Sequence, residues 1–106
     1  MKYALEKLSE AVFELAVGEG DIKSRLRSVF PLLSVISKGD FPDDLQNKWE
    51  SIISRLTKKE SVNSGSEYDE GNYEATIIRM HKKTAVNIAK DILDIHSRLE
   101  SYVSGG

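Results

Sequence analysis

The chain has 106 residues, the size of one domain, and 40% hydrophobic with 30% charged residues is a globular balance that argues against wholesale disorder. A net charge of −2 creates no global field to draw it onto nucleic acid or an anionic membrane. The absence of cysteine excludes disulfides, zinc–thiolate sites and thiol catalysis, and fits a reducing compartment.

The opening stretch, "MKYALEKLSEAVFEL", has glutamates among its apolar residues, so no signal-peptide core forms. No apolar run approaches the length of a bilayer span, which leads to the expectation of a cytoplasmic protein with no membrane partner. Leu5, Leu8, Val12 and Leu15, with Ala4 and Ala11 beside them, recur at helical spacing and predict a helix over 2–17. Gly18 and Gly20 stop it, since glycine suits a left-handed C-cap. Asp21 can cap a second helix over 22–37, whose stripe is Ile22, Leu26, Val29, Leu33 and Ile36. Pro31 lacks an amide donor and crowds the preceding turn, so a kink or break is expected there.

"DFPDDL" opens a third helix over 42–58. Pro42 suits its first turn, and Asp43 and Asp44 favour the positive end of the helix dipole. Leu45, Trp49, Ile52, Ile53 and Leu56 form its apolar face. Residues 60–72, rich in Ser, Asn, Gly and acids, read as a long polar loop, with a short hairpin conceivable around Gly65 or Gly71. Asn72 can cap a last helix over 73–103, free of Gly and Pro and about 45 Å long at 1.5 Å per residue.

In that last helix Ile78, His81, Ala85, Ile88, Ile92, Ile95, Leu99 and Tyr102 occupy heptad positions a and d. Val86, Ala89, Leu93 and Val103 widen the apolar sector to nearly half the circumference, too broad for a two-stranded seam. The segment therefore reads as a core helix with a polar back carrying Lys83 and Lys90. His81 falls on the apolar side, as a partly buried histidine bonded to a neighbour. The fold expected is all-α: a four-helix bundle with a long C-terminal helix as its spine and the second helix kinked at Pro31.

Chemical motifs are absent. His81 and His96 lie about 22 Å apart along one helix and cannot share an ion. There is no H-E-x-x-H, EF-hand, G-x-S-x-G or phosphate-loop pattern. Arg79 stands two residues before His81, too close for the arginine–histidine pair of the small helical HEPN nucleases. No catalytic residue, metal ligand or cofactor is assigned, and an enzyme is disfavoured.

Binding surfaces are better candidates. Glu67, Asp69 and Glu70, flanked by Tyr68 and Tyr73, make an acidic spot suited to a basic protein partner. Lys23, Arg25 and Arg27 crowd one helix and Arg79, His81, Lys82, Lys83 and Lys90 another, so a basic patch forms if these helices lie side by side. Acids scattered among them disfavour nucleic acid as the partner. Ile95, Leu99, Tyr102 and Val103, at the end of the longest helix, would outrun the other helices and suit burial in a homodimer.

Three segments, "AVGEGDIKSRL", "DFPDDLQNKWESIISRLTKK" and "EGNYEATIIRMHKKTAVNIAKDIL", resemble those of a set of small bacterial hypothetical proteins. The resemblance implies a bacterial origin and carries no activity. The reading is thus a small cytoplasmic bacterial protein that works by binding, in protein interaction or regulation. A nucleic-acid-associated regulator is the second reading, and a small helical hydrolase or RNase the third.

Overall fold

The computed structural model describes residues 1–57 and 70–105, the backbone alone for 70–74, and every regular element in it is helical. α1 spans Lys2–Val17, α2 Ile22–Leu33, a single 3-10 turn Lys38–Asp40, α3 Asp43–Thr57, α4 Glu70–Arg79 and α5 Lys82–Val103. The core gathers the predicted stripes. Ala4, Leu8, Ala11 and Leu15 come from α1, and Leu26, Val29 and Leu33 from α2. Leu45, Trp49, Ile52, Ile53 and Leu56 come from α3, and Ala85, Ile88, Ala89, Ile92, Ile95 and Leu99 from α5. α5 packs against α1, α2 and α3, while α4 packs against α2 and α3.

The turn between α1 and α2 is closed by backbone geometry and one arginine. Gly18, expected as a left-handed cap, is extended at φ −62° and ψ 158°, and its N–H donates to the Glu14 carbonyl at 2.7 Å. A Cβ on Gly18 would stand 2.5 Å from that same oxygen. The left-handed residue is Gly20, at φ +87°. Asp21 then accepts from the Ser24 N–H at 3.0 Å and caps α2 as expected. Arg25 reaches back, donating from Nε to the Gly20 carbonyl at 3.1 Å and from Nη1 to the Leu15 carbonyl at 3.2 Å. It thereby satisfies an orphan acceptor at the end of α1.

α2 continues through Pro31 without a break and ends two residues later, short of the predicted 37. Ile36 is nonetheless buried, because the chain turns onto the core there, its N–H donating to the Leu33 carbonyl at 3.1 Å. The 3-10 turn is fixed by a capping box. The Asp40 carboxylate accepts from the Ser37 N–H at 2.9 Å and from its hydroxyl at 3.1 Å. Phe41 follows, buried against Trp49 with ring centroids 5.0 Å apart. α3 is joined to α5 by charges as well as by its apolar face. Arg55 pairs with Asp91 at 2.5 Å, and Lys48 with Asp94 at 3.0 Å and Asp91 at 3.7 Å.

Three expectations are corrected. The predicted helix over 73–103 is two helices, with Met80 and His81 between them. Its N-terminal part starts at Glu70, so Asn72 lies inside a helix, and Gly71 is helical rather than part of a hairpin. The tail is covered within one chain: Ile95 and Leu99 are fully buried, and only Tyr102 is well exposed, its hydroxyl donating to Asp44 at 2.6 Å. Residues 60–69 of the predicted loop lie outside the described residues. Among those described, no helix is long and apolar enough to cross a membrane.

Candidate functional site

The junction of α4 and α5 is where local folding rules are least obeyed. Met80 is buried, and its N–H donates to the Ile77 carbonyl at 3.3 Å, closing α4 in a tightened last turn. His81 is extended at φ −71° and ψ 147°, and the Ala85 N–H donates to its carbonyl at 3.1 Å, so it is the N-cap of α5. Its side chain makes no capping hydrogen bond. The first turn of α5 has no acid; it has Lys82 and Lys83, cations at the positive end of a helix.

α2 supplies the other side of this elbow. Lys23 donates from Nζ to the Ile78 carbonyl at 3.1 Å, which satisfies an orphan acceptor at the end of α4. A hollow of about 280 Å³ lies between the two helices, lined by Asp21, Lys23, Ser24, Arg27, Ile77 and Ile78. Asp21 is held below its ordinary carboxylate pKa, first by the Ser24 N–H bond, with the positive charges of Lys82 and Lys23 adding to it.

Ile78 and His81, predicted for the core, are exposed, Ile78 to 66%. Ile77, Met80 and Thr76 are buried in their stead. Carried back from Ala85 without interruption, the α5 register would bury 78 and 81. The extended residue at 81 leaves α4 one residue out of phase, and this brings Ile78 outward beside the lysines.

The elbow thus unites Arg79, His81, Lys82 and Lys83 with Lys23 and Arg27, as side-by-side basic helices would. Two expected members are elsewhere. Arg25 is turned into the α1–α2 turn, and Lys90 lies about 12 Å further along α5. Arg79, Lys82 and Lys83 are exposed and form no salt bridge with an acid among the described residues, Lys82 acting on Asp21 only at longer range. Of the acidic group, Glu67, Tyr68 and Asp69 lie outside the described residues. Glu70 and Tyr73 lie on α4, in its first turn.

Sequence reasoning missed a larger groove of about 900 Å³ between the 3-10 turn and α3, bordered by Ser34, Ser37, Asn47, Ser51, Ser54 and Thr57. Its two charged groups, Lys38 and Glu50, neutralise each other at 3.4 Å. The groove's two charges offset each other; the elbow holds the exposed cations Arg79, Lys82 and Lys83 and an exposed aliphatic group.

Asp94, Tyr102 and His96 are tied into the scaffold. Asp94 is held below the ordinary range, first by its bond to Lys48, with its bond to Arg98 adding to it against an opposing desolvation. Tyr102 is raised, chiefly by its hydrogen bond to Asp44. His96 shares a 3.0 Å hydrogen bond with the Ser9 hydroxyl, joining α5 to α1. Among the described residues no three His, Asp or Glu side chains converge as metal ligands would. The sequence matches no family model, no curated protein matches it, and no solved structure matches its fold.

Proposed function

We propose that this chain is a small helical binding protein of the bacterial cytoplasm, and that it engages a partner protein through the α4–α5 elbow. The reading takes α1, α2, α3 and α5 as a four-helix bundle, with α2 bent at Pro31 and α4 as an added platform. The observation that carries it is the coincidence at one place of a 66% exposed isoleucine, Ile78, with exposed Arg79, Lys82 and Lys83, which form no salt bridge to an acid among the described residues. An exposed isoleucine beside several cations at a break in helical register is a departure from local consistency, and such departures concentrate where function requires them. Resemblance of three segments to small bacterial proteins supports the origin, and the lack of cysteine supports a reducing compartment.

The grouped cations favour a second reading, a nucleic-acid-associated regulator. Weighing against it are the acid at the rim, Asp21, and the lack of an aromatic ring among the described residues that line the hollow.

Comparative capture from bacterial lysate tests the proposal. A partner held by the wild-type chain should be lost with the triple variant Ile78→Ser, Lys82→Glu, Lys83→Glu, while nuclease treatment leaves capture unchanged. Equal capture by the variant would remove the elbow from the function.

A further inference from the structure

We infer that the elbow's partner is an acidic protein segment that presents a large aliphatic side chain between its carboxylates. The inference rests on the elbow being the working surface and adds the chemistry of what binds there. The hollow, at about 280 Å³, is smaller than a usual small-molecule site and is open on the outside. Its apolar wall is Ile77 and Ile78, aliphatic rather than aromatic, so it suits a leucine or isoleucine better than a stacked base.

Charge complementarity gives the sign of the rest of the segment. Arg79, Lys82 and Lys83 stand next to Ile78 in the chain or across the elbow from it, exposed and in no salt bridge with an acid among the described residues. Lys23 is already committed to the Ile78 carbonyl and acts as the fixed inner wall. Asp21 faces the same hollow, and Lys82 acts on its charge. An acidic segment therefore gains most on the outer side, at Arg79 and Lys83, and least near the start of α2. A polyphosphate backbone, which carries charge at every step, would meet Asp21 as well as the cations; a segment with carboxylates on either side of one apolar residue need not.

Fluorescence anisotropy with synthetic peptides decides it. The probes are a short peptide of Glu, Asp and Ser around a central Leu-Leu, a version with Gln and Asn in place of the acids, an acidic version with Ser in place of the leucines, and oligo(dT) of equal length. The acidic leucine peptide should bind at least about tenfold more tightly than either altered peptide, and weaken as salt is raised. Lys82→Glu with Lys83→Glu should abolish the preference for acids. Ile78→Ser should abolish the preference for leucine and leave the preference for acids. All three positions are exposed, so folding is checked simply by an unchanged circular dichroism spectrum. Equal binding of all peptides, no binding of any, tighter binding of oligo(dT), or indifference to Ile78→Ser would each overturn the inference. If lysate capture depends on the elbow while the peptides fail, the surface stands and this chemistry is wrong. If capture ignores the elbow, the reading beneath it fails as well.

Discussion

Single residues here are held in ways that make opposite predictions for chemically similar changes. Gly20 and Gly39 are both exposed glycines in connections. At Gly20 φ is +87°, and an added Cβ would lie 2.9 Å from the Ser24 Cβ; at Gly39 it would meet nothing within 4 Å. Gly20→Ala should therefore cost about 1–2 kcal/mol, the usual penalty for an L-residue in left-handed space, plus whatever Ser24 must yield. Gly39→Ala should stay within about 0.5 kcal/mol of wild type. Urea denaturation of the two variants measures both. Asp94, like Asp21, contributes to the acid limb of stability, and Tyr102 to the alkaline limb. Asp94 is depressed below 3.8, so its contribution is present above that pH and fades as pH falls through the lowered folded value. Tyr102 is raised above 10.0, so its contribution is complete below pH 10 and is lost as pH rises through the folded value. Asp94→Asn should flatten the acid limb of melting temperature against pH, and Tyr102→Phe the alkaline limb, each leaving the other limb unchanged.

At the scale of elements, α5 offers the sharpest contrast between faces. Ile92 is fully buried and Lys90, two residues away, is exposed. Ile92→Ala should cost about 2–5 kcal/mol and Lys90→Ala less than about 0.5 kcal/mol, both read from chemical denaturation. His81 makes the opposite kind of prediction. Its side chain leaves the start of α5 uncapped, so His81→Ser should stabilise the protein by up to about 1 kcal/mol. The stripes of α1, α2 and α3 and the α5 register from Ala85 to Leu99 were legible because apolar residues there recur at three and four with polar residues between. The start of α2 was legible too, because Asp21 is a capping residue next to a glycine. The division between α4 and α5 was not. Neither Met80 nor His81 is a helix breaker, and no capping residue stands between the two helices. Ile77 and Ile78 are adjacent, so either could have been the buried one, and the buried Thr76 hid the true stripe behind a polar side chain. Lys23, Arg27, Arg79, Lys82 and Lys83 were legible as a candidate patch. What escaped was the exposed Ile78 at its centre, because only the tertiary break turns it outward.

For the whole molecule, the covered tail removes the reason given by the sequence for self-association. Ile95 and Leu99 are buried within one chain, and Tyr102 is bonded to Asp44. Sedimentation at micromolar concentration should show no dimer that depends on the tail, with Tyr102→Ser leaving the profile unchanged. The arginine that bridges α1 and α2 has a consequence for the order in which the molecule assembles. The Arg25–Leu15 bond spans 10 residues, whereas the Ser9–His96 bond joining α5 to α1 spans 87. Closing the larger loop costs about 2 kcal/mol more in chain entropy, on the logarithmic dependence on length. The α1–α2 pair can thus close early, and α5 must wait for a scaffold to land on. In stopped-flow experiments Arg25→Ala should chiefly slow folding, and Ile92→Ala should chiefly hasten unfolding. A chain that folds in this order displays its finished first hairpin, with Lys23 already at the start of α2, before the α4–α5 elbow exists to cover it.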